Sequence, residues 1–126
     1  MIVSISAMYA AILGALFVPF TVYVGTYRVK NKILLLDGGD VELSRRIRAH
    51  ANFTETVPMA LILLVLVEIS GGSATLLHSL GAVLVTARVM HYITIATNPG
   101  NTAPRALGMA GTLGVIAVSA GYLLIA

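Results

Sequence analysis

The sequence predicts an all-α fold, an integral membrane four-helix bundle with no soluble domain. Three observations carry that reading. The chain of 126 residues is 58% hydrophobic and only 10% charged, against roughly 25% charged in soluble domains. Its apolar residues fall into four long runs separated by short polar turns. Its cations gather beside the runs, six of the eight Lys and Arg lying between Arg28 and Arg48. A domain of this size buries about two-thirds of its unfolded surface, so the apolar excess must face lipid or partner subunits.

The first span, about residues 3–27, has no ionisable side chain except tyrosine, and at 1.5 Å per residue it crosses about 30 Å of hydrocarbon. A signal peptide would begin with positive charge, and no Lys or Arg precedes Arg28. Arg28 to Ser44 reads as a solvated loop, with Asp37-Gly38-Gly39-Asp40 as its turn. The second span, 45–69, is interrupted by Asn52 and Glu55 and ends at Ser70-Gly71-Gly72-Ser73. The third, 74–96, stops at Asn98-Pro99-Gly100-Asn101. The fourth, 104–125, opens on Pro104, a residue suited to a helix's first turn. Its Ala110, Gly114, Ala117 and Gly121 form a small-residue stripe that invites close helix packing. Pro19 and Pro58 are read as tolerated kinks.

Four spans put both termini on one side. The cations of the first loop, with Arg105 on the third, place those loops in the cytoplasm and the termini outside. With no targeting signal, the expected location is a bacterial inner membrane. No cysteine is present, which excludes disulfides, thiolate metal sites and a protein thiol nucleophile, and no metal site is assigned. The net charge of +3 follows topology, without the aromatic–basic interleaving that would suggest nucleic acid.

Ionisable groups within a span cost several kcal/mol unless paired or hydrated. Arg48, Asn52 and Glu55 stand at i, i+4 and i+7 on one stripe of the second span, with His50 roughly opposite. Arg88 and His91 are i, i+3 neighbours on the third. Counted from the cytoplasmic ends, Glu55 and Arg88 reach similar depths and are expected to meet. That pair alone fits either a structural lock on helix register or part of an anion site. The further donors Arg48, Asn52 and Arg105 at one mouth favour the anion. Arg105 adds a guanidinium to the positive end of a helix dipole; a snorkelling boundary arginine is the plain alternative. Tyr9, Tyr23, Tyr27 and Tyr122 are read as interfacial anchors, Tyr92 as within reach of the polar cluster, and Glu68 and His78 are given no role.

The run Arg48-Ala49-His50-Ala51-Asn52-Phe53-Thr54-Glu55 resembles the R-A-H-x-N-x-x-E signature of the MAPEG family, membrane-associated proteins in eicosanoid and glutathione metabolism. Ala87-Arg88-Val89-Met90-His91 is similar to its A-R-x-x-H, and Arg105 sits where members open their fourth helix with arginine. The resemblance covers nearly the whole chain. It implies a homotrimer with glutathione bound between subunits in the cytoplasmic half of the membrane. Arg48, Asn52, Glu55, Arg88 and His91 then map onto glutathione-site positions, and Arg105 onto the arginine that stabilises the thiolate. Glutathione offers two carboxylates for arginines, an amine for Glu55 and a thiol whose ionised form a cation favours. Ala51, Ile95 and Met109 stand where eicosanoid-producing members often carry an arginine and tyrosines, which points to a bacterial-type member. The expected activity is a membrane-bound glutathione transferase or peroxidase acting on hydrophobic electrophiles that enter from the bilayer. The rival is a non-catalytic membrane module of the same fold that binds lipid or another anion. A proton-coupled transporter subunit using Glu55 and His91 is a third reading.

Overall fold

The computed structural model describes residues 1–126 and contains four helices, α1 (Ser4–Asn31), α2 (Val41–Ile69), α3 (Ala74–Thr97) and α4 (Thr102–Ile125). All four are long and apolar enough to cross a membrane. All four extend past the expected spans: α1 runs to Asn31, α2 starts at Val41, α3 ends one residue later at Thr97 and α4 starts at Thr102. The extensions of α1 and α2 are compensated or capped on the polar side. Arg28 and Lys30 sit in the last turn of α1, where cations meet the negative end of the helix dipole. Asp40 accepts the Leu43 N–H at 2.9 Å and so starts α2. The solvated loop is therefore shorter than expected, because its ends are helical.

Helix ends follow from local chemistry. After α1 the chain makes a Schellman turn: Lys32 is left-handed (φ 57°), Ile33 N–H reaches the Arg28 carbonyl at 3.0 Å and Lys32 N–H the Val29 carbonyl at 3.4 Å. After α2 the same motif recurs on Gly71 (φ 86°), with Gly72 N–H on the Val67 carbonyl at 2.9 Å. A Cβ on Gly72 would stand 2.6 Å from Val67 Cγ1, so glycine is required there. Ser73 then caps α3 by accepting the Leu76 N–H at 3.2 Å.

At this outer end Glu68 has a role that the sequence reading did not assign. The N-cap of α1, Val3, offers no side-chain acceptor. The Glu68 carboxylate supplies one instead, accepting Ile5 N–H at 2.9 Å, Ser6 N–H at 2.7 Å and the Ser6 hydroxyl. Tyr9 is also no interfacial anchor: its ring is buried over Gly81 and its hydroxyl lies 3.2 Å from His78 Nδ1.

Every helix pair packs except α1 with α4, so α2 and α3 form the centre of the bundle. Tyr9, Leu13, Phe53, Leu64, Leu84 and Val115 belong to the main core. A smaller cluster of Ala49, Tyr92, Ile95 and Ala96 lies toward the end carrying the first and third loops. Only 27 of 126 residues are buried, while Val18, Val22, Ile62, Leu107 and other large apolar side chains are exposed, which is the pattern of a lipid-facing surface. In α4 the face turned inward is Gly108, Thr112, Val115 and Ser119. The stripe of Ala110, Gly114, Ala117 and Gly121 faces outward. Small residues therefore occupy both faces of α4, and within the chain close packing uses the Gly108–Ser119 face, chosen by the approach of α3.

Candidate functional site

The loop end of the bundle is built by α2. The Asp40 that caps it also accepts the Tyr27 hydroxyl at 2.9 and 3.0 Å. The Leu43 N–H and this hydroxyl hold the Asp40 carboxyl below the usual carboxylate range. One turn on, the Arg46 guanidinium lies 3.7 Å over the Tyr23 ring and 4.5 Å from the Tyr27 ring centroid. Its Nε donates to Glu42 at 2.9 Å and Nη1 to the Tyr23 carbonyl at 2.9 Å. These contacts fix the start of α2 against the end of α1, and α2's other face is free to line a cavity.

That cavity, of about 580 Å³, opens between α2, α3 and α4 and is lined by Ser44, Arg45, Arg48 and Asn52, by His91 and Ile95, and by Pro99, Thr102, Arg105, Ala106 and Met109. Its volume is within the usual range for small-molecule sites. Three arginines and no carboxylate line it; Arg45 and Arg48 also reach Glu42 and Glu55 outside the wall at 3.9 and 3.6 Å, while Arg105 has no carboxylate partner, so the wall itself presents only positive charge to a ligand. Arg105 reaches it from the first turns of α4 and donates to the Pro99 carbonyl at 2.9 Å. Gly108 makes this possible: a Cβ there would lie 2.7 Å from His91 Cβ and 2.9 Å from the Ala87 carbonyl oxygen. Only glycine lets α4 come this close to α3 and bring Arg105 and Met109 opposite His91.

Behind the cavity, Arg88 is 1% exposed. Its Nη1 donates to Asn52 Oδ1 at 2.6 Å and Thr56 Oγ1 at 3.0 Å, its Nη2 to the Gly108 carbonyl at 3.2 Å, and its Nε has no partner. Asn52 thus spends its carbonyl oxygen on Arg88, which leaves its amide N–H groups as the donors available to the cavity.

The expected meeting of Glu55 with Arg88 does not occur. Glu55 pairs with Arg48 at 3.6 Å on the outward face of α2, both side chains 57% exposed. Successive helical residues are about 100° apart, so Glu55 and Thr56 flank the Asn52 stripe on opposite sides. The third helix packs on the Thr56 side, and Arg88 therefore takes neutral acceptors. Of the residues singled out from sequence, Arg48, Asn52, His91 and Arg105 line the cavity, Arg88 sits behind its wall, and Glu55 lies off it. Tyr92 is also away from the cluster, stacked on Phe20 at 3.6 Å between ring centroids. His50 turns to α1, 2.9 Å from Thr21 Oγ1. Sequence reading missed Ser44, Arg45, Thr56 and Gly108. Thr56 was findable, since it continues the Asn52 stripe at i+4; Gly108 was not, since its need arises from α3.

A model of the MAPEG family matches residues 6–125 of the chain. The inner membrane protein YecN of Escherichia coli strain K12 is 35% identical over 88 residues, covering 70% of this chain and 67% of that protein. The protein of the same name from Escherichia coli O6:H1 strain CFT073 is similar to the same extent.

Proposed function

Because the chain belongs to the MAPEG family and is a multi-pass protein of the bacterial inner-membrane type, we propose that it is a glutathione-dependent transferase or peroxidase for hydrophobic electrophiles. The observation that carries this reading is the open cavity with three arginines and no carboxylate in its wall. That donor set fits a tripeptide with two carboxylates, and the chain has no cysteine of its own to act as nucleophile. Glutathione, when bound, supplies the thiol.

Arg48, the Asn52 amide and His91 hold the ligand's carboxylates and peptide groups, with Arg88 behind them fixing Asn52 and adding its positive field. Arg105 is the thiolate stabiliser: a guanidinium near the sulfur favours the ionised form and enlarges the nucleophile's population at neutral pH. The electrophile arrives from the bilayer. Assembly as a homotrimer is supported by the outward face of α2, where Arg48 and Glu55 continue into exposed Met59, Ile62 and Leu66. A half-exposed ion pair facing lipid is costly, and a neighbouring subunit would cover it. In that seam Glu55 serves the amine of glutathione.

Conjugation of an aromatic chloronitro electrophile by the protein in liposomes tests the proposal. Losing one charge-assisted contact of about 1.5–3 kcal/mol corresponds to roughly 10- to 100-fold. Arg105→Ala is expected to lower kcat/KM by that factor while glutathione still binds; unchanged turnover contradicts the role of Arg105. One observation favours a second reading. Ile95 and Met109 line the cavity where the resemblance to eicosanoid-producing members would have allowed tyrosines, so the wall's hydroxyls are those of Ser44 and Thr102 alone. A protein that binds anions in this cavity but shows no glutathione-dependent turnover would be the non-catalytic module.

A further inference from the structure

The loop between α1 and α2 exposes three consecutive leucines. Leu34, Leu35 and Leu36 are 94%, 78% and 75% exposed, and no side chain of the bundle covers them. Such a run in water would be an aggregation hazard. Its position says otherwise. The Schellman turn at Lys32 reverses the chain, and the loop is tied back to the helix it has just left. Arg28, one turn inside the end of α1, donates from Nη1 to the Leu36 carbonyl at 2.6 Å. Tyr27, its neighbour, holds Asp40 at the other end of the loop. Leu36 keeps a left-handed backbone (φ 55°), which is uncommon for a side chain of that size. The loop therefore does not stand off into solvent but doubles back to the level of residues 27 and 28, where the apolar run of α1 meets its first cation, Arg28, the place expected of a bilayer boundary.

We propose that Leu34–Leu36 is an interfacial anchor that inserts into the inner leaflet of the protein's own bilayer, with Lys30 and Lys32 binding anionic lipid headgroups. Apolar side chains flanked by cations suit the boundary between acyl chains and negatively charged headgroups. Asp37 and Asp40 are on the return side of the loop and are held inside it: Asp37 Oδ1 accepts the Gly39 N–H at 3.0 Å, and Asp40 is taken by Tyr27 and Leu43. Because Asp40 caps α2, the anchor sets the depth of α2's first turns, and with them the depth of the cavity mouth, relative to the headgroups. The inference is independent of what the cavity binds.

The chain contains neither tryptophan nor cysteine, so Leu35→Trp installs a single tryptophan at the loop, excited selectively at the red edge of tyrosine absorption. The full chain is reconstituted in vesicles of phosphatidylcholine and phosphatidylglycerol in equal parts, with brominated acyl chains as the lipid quencher and iodide as the aqueous one. The expected result is blue-shifted emission that is lost with brominated lipid and kept with iodide. In the same background Lys30→Gln with Lys32→Gln is expected to reduce the bromine quenching. Emission lost to iodide and kept with bromine puts the leucines in water; emission kept with both puts them against protein, as in a contact with a second copy. Either result overturns the proposal, and bromine quenching unaffected by the lysine changes overturns the headgroup contact. Should Leu35→Trp fail to fold, Leu34→Trp reads the same level at the most exposed of the three positions.

Discussion

Arg88 shows how a charge can be tolerated within a membrane span without a countercharge. Its bonded acceptors are an amide oxygen, a hydroxyl, a carbonyl and, at 3.9 Å, the Met109 sulfur, which spread the charge at the cost of fixing all four. Replacing a buried ionic group with an apolar one is often near neutral when its partners change too, and damaging when a partner is left behind. Gly108's carbonyl keeps the Thr112 hydroxyl at 2.9 Å, and Thr56 keeps its own bond to the Asn52 carbonyl at 2.9 Å. Asn52 Oδ1 is then the acceptor that Arg88→Met strands. The expected cost is about 1–3 kcal/mol, and Arg88→Met with Asn52→Leu should recover most of it in thermal unfolding in detergent. Equal melting of the single variant and the wild type contradicts this assignment. Asp40 makes a pH prediction. Its folded-state affinity for protons is depressed by the Leu43 N–H and the Tyr27 hydroxyl. Its contribution is therefore present above the ordinary carboxylate value of about 4 and is lost as pH falls through the lower folded value. Asp40→Asn should flatten the acid-side fall of the melting temperature; an unchanged acid limb would remove Asp40 from the account. The sequence named Arg88 as a costly residue needing partners. It could not name the partners, because the choice between Glu55 and Thr56 depends on which side of α2 meets α3.

Between helices, the decisive contact is at Gly108. A Cβ there meets the backbone and Cβ of α3, whereas a Cβ on Gly25 meets nothing within 4 Å. Overpacking of this kind costs about 1–3 kcal/mol, while glycine-to-alanine in an unobstructed helix gains up to about 1 kcal/mol. Gly108→Ala should lower the unfolding temperature and, by displacing Arg105, the turnover, and Gly25→Ala should leave the unfolding temperature equal or higher. Two variants that behave alike would show that α4 does not rely on close approach at this point. Helix positions were readable from hydropathy and turn residues, with boundaries displaced where capped polar ends prolong the helices. The facing of α4 was not readable, since Gly108–Ser119 and Ala110–Gly121 carry similar small residues and only the neighbour decides between them.

For the whole molecule, the fold class was the most legible feature. An apolar excess that cannot be buried, cut into four runs, admits few solutions when every backbone polar group in hydrocarbon must be bonded within its own helix. The gathering of Arg48, Asn52, His91 and Arg105 around one cavity was also legible, because helical spacing and depth from the loop end place them together. The tyrosines were less so: Tyr9 went inward because Gly81 made room for its ring, and Tyr92, expected at the polar cluster, stacks on Phe20 instead. Whether the basic cavity takes glutathione is decided by isothermal titration of glutathione into the purified protein. Saturable binding is expected, weakening as salt screens the arginines and falling roughly tenfold in Arg48→Ala, the loss of about 1.4 kcal/mol. Absence of binding heat at millimolar glutathione, or an isotherm indifferent to salt and to Arg48, would contradict it.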